Sequence, residues 1–286
     1  MKWTAGNRDN VDDVRASSGG GGMRMGGLGV GGLLVVLVLS WLTGVDFLQL
    51  IGPDATAPPP SANVGSGELK TTPEEEKLVD MVDAVMRDVQ ETWQAQLGGR
   101  YQPTRAVIFR DTYPSACGMG QSATGPFYCP ADQLVYLDLG FFNELRARFG
   151  APGDFAQAYV LAHEVGHHVQ RITGIEGQVR QLQQSRPDQQ NALSVRLELQ
   201  ADCFAGVWGH SAAKSGRATQ GKVELESGDV EEGLNAAAAI GDDRIQRMSG
   251  GRVAPDRFTH GSSEQRVTWF RRGLQSGDMK ACDTFQ

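Results

Sequence analysis

The apolar positions of this chain fall into helical and extended patterns. Leu78, Val82, Val85, Met86, Val89 and Trp93 recur three and four residues apart, the spacing of one face of an α-helix. Its start is marked by Thr72 as N-cap, Pro73 at the first helical position and Glu75 three residues after the cap, the signature of a capping box. A stripe of this kind is a core-packing face rather than a cofactor site. Helical patterning returns at about 154–173, 189–211, 229–247 and 263–275, between loops rich in Gly, Pro and Ser. Ala106 to Phe109 and Leu134 to Leu137 are short β-branched or aromatic runs between turn residues, so two strands are predicted. Residues 73–286 therefore read as one α+β domain, dominated by helices with a small sheet and no internal repeat.

Ahead of that domain, Met25 to Val45 carries no charge and is bounded by Arg24 and Asp46. About 20 helical residues cross a bilayer, so the run is predicted to be one transmembrane helix. A cleaved signal peptide fits less well, because its apolar core is usually ~7–15 residues and the Ala55–Ala57 cleavage candidate is followed by Pro58. Lys2, Arg8, Arg15 and Arg24 precede the run, and neither Lys nor Arg occurs between Asp46 and Glu68. The positive-inside rule then places the N-terminus in the cytoplasm and the domain outside, in the periplasm or at the cell surface if the source is bacterial. Residues 1–24, polar and Gly-rich, are expected to be a disordered cytoplasmic tail, and residues 46–72, with Pro53 and Pro58 to Pro60, a stalk.

Composition narrows the partners. The 286 residues are 40% hydrophobic and 21% charged, enough for a substantial core. The formal charge of -7 and the lack of a basic stripe argue against a nucleic-acid partner, which would need clustered Lys and Arg. All four cysteines, Cys117, Cys129, Cys203 and Cys282, follow the apolar run, so an oxidising compartment favours disulfides. Three pairings are open. Gly118, Gly120 and Gly125 suit a compact loop closed by Cys117 and Cys129, which would leave Cys203 with Cys282. A structural zinc site made of cysteines is disfavoured because no Cys-x-x-Cys pair occurs.

The strongest chemical signal is His163-Glu164-Val165-Gly166-His167 in a helical pattern. Residues four apart share a helix face, so both imidazoles can reach one metal ion. Glu164, between them, can act as general base toward a water that zinc has made more acidic. A third ligand and an orienting group are offered by Glu198 and Asp202, again four apart on a helix. Glu198 completes a two-His, one-Glu shell of the catalytic zinc type, and Asp202 can accept from a ligand imidazole. A merely solvated face for these acids is disfavoured by Leu197, Leu199 and Cys203 around them. His168 lies about 100° round the helix from His167 and reads as a packing residue. His210 reads as a surface or helix-end residue. His260, just before the last helix, is the candidate donor to a developing oxyanion, and Arg266 the candidate supporting salt bridge or charge, or else a brace for Asp202 or another buried acid.

With these residues together the chain resembles the neutral zinc metallopeptidase family of bacterial membrane-anchored proteins. The resemblance rests on Gly125 to Pro130, Phe149-Gly150 through His168, Leu197 to Cys203, Asn235 to Asp242 and Thr259 to Gly261. It implies a zincin fold with a gluzincin-like third ligand, a zinc cofactor, and a peptide or protein substrate. It also implies an edge strand that pairs with the substrate backbone, with Leu134 to Leu137 a candidate for that strand. The rival reading is a membrane-tethered binding or assembly module that zinc merely stabilises; such a module has no use for Glu164 beside the ligands.

Overall fold

The computed structural model describes residues 1–16, 69–121, 125–250 and 252–285. In chain order these form β1 (Val11–Asp13), α1 (Pro73–Leu97), β2 (Ala106–Phe109), β3 (Thr112–Ser115), β4 (Gly118–Gln121), β5 (Phe127–Cys129) and β6 (Leu134–Asp138). The helices α2 (Gly140–Ala147), α3 (Asp154–Ile172), α4 (Ile175–Ser185), α5 (Gln190–Ala212), α6 (Asp229–Ala239), α7 (Asp242–Met248) and α8 (Ser263–Ser276) follow. The architecture is α+β and helix-dominated, with a four-stranded sheet ordered β1-β2-β6-β5 and a separate β3-β4 hairpin. In the sheet, β1, β2 and β6 run parallel and β5 is antiparallel to β6.

The helix starts follow from local chemistry. Thr72 accepts from the Glu75 amide while the Glu75 side chain returns to the Thr72 amide, so α1 begins with the full capping box. Ser262 and Gln265 repeat the device at α8. The apolar stripe of α1 is buried, with Val82, Val85, Met86, Val89 and Trp93 at 0% exposure. Trp93 meets Phe204 of α5 edge to face, and Phe155 of α3 stacks on Trp208 of α5. Disulfides join Cys117 to Cys129 and Cys203 to Cys282.

Glycines decide how closely the central helices approach. A Cβ on Gly273 of α8 would lie 1.9 Å from the Cys203 carbonyl oxygen, and one on Gly206 of α5 would lie 2.1 Å from that of Phe270. The two helices therefore cross backbone against backbone, which only Gly permits. That crossing carries Arg266 of α8 onto Asp202 of α5. Gly166 of α3 sits in the same way against Ala201, which brings α3 and α5 together where their acidic and imidazole side chains face each other.

Four expectations need correction. Residues 1–16, expected to be a disordered tail, are folded: β1 pairs with β2, with Val11 opposite Ala106. Val11 is buried, and Arg15 pairs with Glu76 of α1 at 2.7 Å. Because residues 1–16 and 69–285 share one sheet, a single membrane crossing between them cannot put them on opposite sides. The single-pass arrangement with only the C-terminal domain outside is therefore not supported. The predicted transmembrane run 25–45 lies outside the described residues, as does nearly all of the predicted stalk. Among the described residues no helix is long and apolar enough to cross a membrane.

The second correction concerns the sheet. Leu134 to Leu137 lies between β2 and β5, its backbone paired on both sides, so the edge beside the cleft is β5. Third, the predicted helix 229–247 is two helices, α6 and α7, broken at Ile240 and Gly241. A Cβ on Gly241 would meet the Ser263 amide nitrogen at 2.4 Å, so the break accommodates the start of α8. Fourth, the sheet has more strands than the two predicted, and α2 and α4 add to the predicted helices; the added strands and α2 are short, whereas α4 carries Ile175, Val179 and Leu182 at helical spacing.

Candidate metal centre

Helix α3 presents His163, Glu164 and His167, and α5 presents Glu198 opposite them. His163 Nε2 lies 3.2 Å from one Glu198 carboxylate oxygen and His167 Nε2 lies 3.4 Å from the other. The three donor groups fall within 4.8 Å of one another. Tetrahedral ligands at ~2.0–2.1 Å from zinc stand about 3.3 Å apart, so the donor set matches one ion of that size and chemistry. The two imidazole planes are perpendicular, with centroids 4.8 Å apart. Both rings thus aim an Nε2 at the same point.

The far side of His163 is tied into a buried charge network. Its Nδ1 donates to Asp202 Oδ1 at 2.8 Å, and Asp202 is also bonded by the Tyr159 hydroxyl. Arg266 grips the same carboxylate with two bonds, Nε to Oδ2 at 2.9 Å and Nη2 to Oδ1 at 2.8 Å. Asp202, Arg266 and Tyr159 are all at or below 2% exposure. Burial pushes the Asp202 carboxyl up, but Arg266 and His163 outweigh it and hold it below its ordinary value. Glu198 is lowered further, its burial overcome by His167 and His163.

Glu164, 7% exposed, behaves differently. Burial raises its pKa, although both imidazoles and the Tyr128 backbone amide act against the shift. It lines a cleft of about 700 Å³ whose walls include Tyr128, Phe141, Phe149, Val160 and Ile240. β5 forms one side of this cleft, and among the described residues its outer edge carries no neighbouring strand.

His260 lines the same cleft. Asp242, at the start of α7, holds it in place. One Asp242 oxygen accepts from the backbone amides of Thr259, His260 and Gly261, and the other contacts His260 Nδ1 at 3.1 Å. The Asp242 bond raises the His260 pKa, against partial burial. His168 is fully buried; it accepts from the Tyr128 hydroxyl and donates to the Gln102 carbonyl. His210, in the last turn of α5, contacts the Leu274 carbonyl away from the cleft.

Sequence reasoning missed Tyr159, Asp242, Gln170 and Gln200, each joined to the cluster by hydrogen bonds. Tyr159 is one turn before His163 on its face, the spacing that could have revealed it. Gln170 is three residues after His167 on α3, a spacing that also marks it, whereas Asp242 and Gln200 reach the cluster from other segments, where no periodicity points to them. A second acidic group, Asp154, Asp229 and Glu232, surrounds the Met1 ammonium, which lies 2.9 Å from Asp154 and 3.3 Å from Asp229.

Over residues 1–285 the chain matches the family described as "Putative neutral zinc metallopeptidase". It is 48% identical to the uncharacterized protein YpfJ of Escherichia coli K12 across 100% of this chain and 99% of that protein. It is also 43% identical to the uncharacterized proteins Mb2605 of Mycobacterium bovis and Rv2575 of Mycobacterium tuberculosis, over 71% of this chain and 69% of each. No solved structure gives a match.

Proposed function

The chain belongs to the neutral zinc metallopeptidase family, and from that premise we propose that it hydrolyses peptide bonds at a zinc held by His163, His167 and Glu198. The observation that carries this reading is the convergence of three donors with a fourth side left open to a cleft where Glu164 stands. When bound, zinc would polarise the scissile carbonyl and lower the pKa of water. Glu164 takes a proton from the attacking water and passes it to the leaving amine. Asp202 keeps the His163 proton on Nδ1 and its ring oriented. An extended substrate lies along the free edge of β5, the apolar side of the cleft receiving its side chains. A purely structural zinc would leave Glu164 buried without a role.

The metal assignment is open to a direct count. The purified full-length chain should carry one zinc, and Glu198→Ala should carry well under half that amount after dialysis, measured by elemental analysis. Retention of a full equivalent by Glu198→Ala would remove Glu198 from the ligand set.

His260 is assigned as the donor to the developing oxyanion, with Asp242 orienting it. Donation needs the protonated ring, so turnover should fall as pH rises through the His260 pKa, which Asp242 holds above the ordinary value. Glu198 also favours the cation and Arg266 opposes it. Asp242→Asn should therefore move the alkaline limb of the kcat profile to lower pH, with His260→Ala abolishing that limb and lowering kcat about 10²-fold or more. A profile unchanged in both variants, with zinc retained, takes His260 out of the mechanism.

A further inference from the structure

The two imidazoles are backed in unlike ways. Behind His163 stands the Asp202 carboxylate with its arginine, whereas behind His167 stands a chain of neutral amides. His167 Nδ1 lies 2.9 Å from Gln170 Oε1. Gln170 Nε2 donates to the Leu197 carbonyl at 2.7 Å and to Gln200 Oε1 at 3.1 Å. Gln200 Nε2 in turn donates to the Cys282 carbonyl at 2.9 Å. Cys282 is bonded to Cys203, one turn beyond Leu199 on the same helix as Gln200. Gln170 and Gln200 are 1% and 4% exposed, and both sulfurs' residues are fully buried, so water does not substitute for these bonds.

The direction of every bond in the chain is dictated by its two backbone carbonyls. A carbonyl only accepts, so Leu197 fixes which end of the Gln170 amide is NH₂, and Cys282 does the same for Gln200. Gln170 must then offer its oxygen to His167, and His167 must carry its proton on Nδ1. The Nε2 lone pair is thereby left facing Glu198 and His163. Leu197 directly precedes Glu198, so the same amide ties the His167 ring to the helix that bears the third donor. Moving the proton to Nε2 would leave a buried acceptor facing a buried acceptor, and turning the imidazole over would set a ring C–H against the Gln170 oxygen, so both alternatives lose the bond.

We propose that Gln170 and Gln200 are positioning residues for His167, setting its tautomer and ring orientation, and that the Cys203–Cys282 bridge anchors the far end of their relay. The inference rests on the metal reading above. It makes zinc affinity depend on two glutamines that touch neither metal nor substrate, and on a disulfide whose link to His167 runs through Gln200.

The test is zinc affinity of the full chain, measured by competition with a chromophoric chelator at fixed pH, for the parent, His167→Ala, Gln170→Ala, Gln200→Ala, the bridge-free double variant Cys203→Ala with Cys282→Ala, and that double variant combined with Gln200→Ala. Circular dichroism restricts the comparison to folded samples. Gln170→Ala should weaken zinc binding 10- to 100-fold, the usual effect of losing an outer partner of a ligand histidine. Gln200→Ala, which leaves the Leu197 bond in place, should weaken it about 2- to 10-fold, the equivalent of one hydrogen bond. Losing the bridge should weaken the parent, yet add little to Gln200→Ala, because both changes break one path. The cobalt-substituted visible spectrum should change in Gln170→Ala, a response to ligand orientation that a loss of global stability would not produce. Parent-like affinity and spectrum in Gln170→Ala would overturn the relay, and equal losses from the bridge with and without Gln200 would overturn its anchor. His167→Ala separates the ligand assignment from the relay. If it keeps zinc, the ligand assignment has failed; if it loses zinc while Gln170→Ala does not, only the relay has.

Discussion

Glu164→Gln is expected to lower turnover about 10²- to 10⁴-fold, the typical share of a positioned general base, while zinc content stays at one per chain. The amide fills the volume of the carboxyl and keeps a polar group at the cleft, but it cannot take a proton from water. Neither imidazole of the cluster can replace it, since His163 and His167 direct their free nitrogens at the proposed ion. Stability should be unchanged or slightly higher, because burial disfavours the Glu164 carboxylate and the neutral amide relieves that penalty. Steady-state kinetics with elemental analysis and a thermal melt on the same sample make the check. A variant that cleaves as fast as the parent sinks the assignment of Glu164.

The second large effect is on stability, from Arg266→Met. Arg266 is 2% exposed and makes two bonds to Asp202, which is fully buried. Removing the cation leaves a buried carboxylate with only the Tyr159 hydroxyl and His163 for company. Breaking a buried pair from one side costs about 3–5 kcal/mol. At about 2–4 °C per kcal/mol for a domain of this size, the melting temperature should fall by roughly 6–20 °C. Adding Asp202→Asn should recover much of that loss, because the orphaned charge goes with it. Zinc affinity should stay low in the double variant, for the asparagine no longer offers His163 a charged acceptor. A single variant melting within a degree or two of the parent would mean that Arg266 does not brace Asp202.

Residues that act within one helix were legible, and residues that act between distant segments were not. Thr72, Pro73 and Glu75 announced α1 because a capping box is complete within one turn. His163 with His167, and Glu198 with Asp202, stood out because helical geometry fixes what four residues of separation means. The strand at Val11–Asp13 has no alternation to betray it; its parallel partner is about 95 residues away and only the assembled sheet makes it a strand. The same holds for β5, three residues long, whose position at the sheet edge depends on the order in which β2 and β6 pair. That is why Leu134 to Leu137, the more apolar run, looked like the better edge and is instead the interior. Asp242 and Gln200 join the cluster from other segments, a role that side-chain spacing does not encode.

Zinc-dependent peptide hydrolysis is put to its sharpest test by digesting a diverse peptide library with the chain as purified, after chelation, and after zinc is restored. Mass spectrometry of the products should show cleavage at internal peptide bonds, lost on chelation and regained with one equivalent of zinc. Chain loaded with one zinc that cleaves no peptide, or cleavage that survives complete removal of the metal, would contradict it.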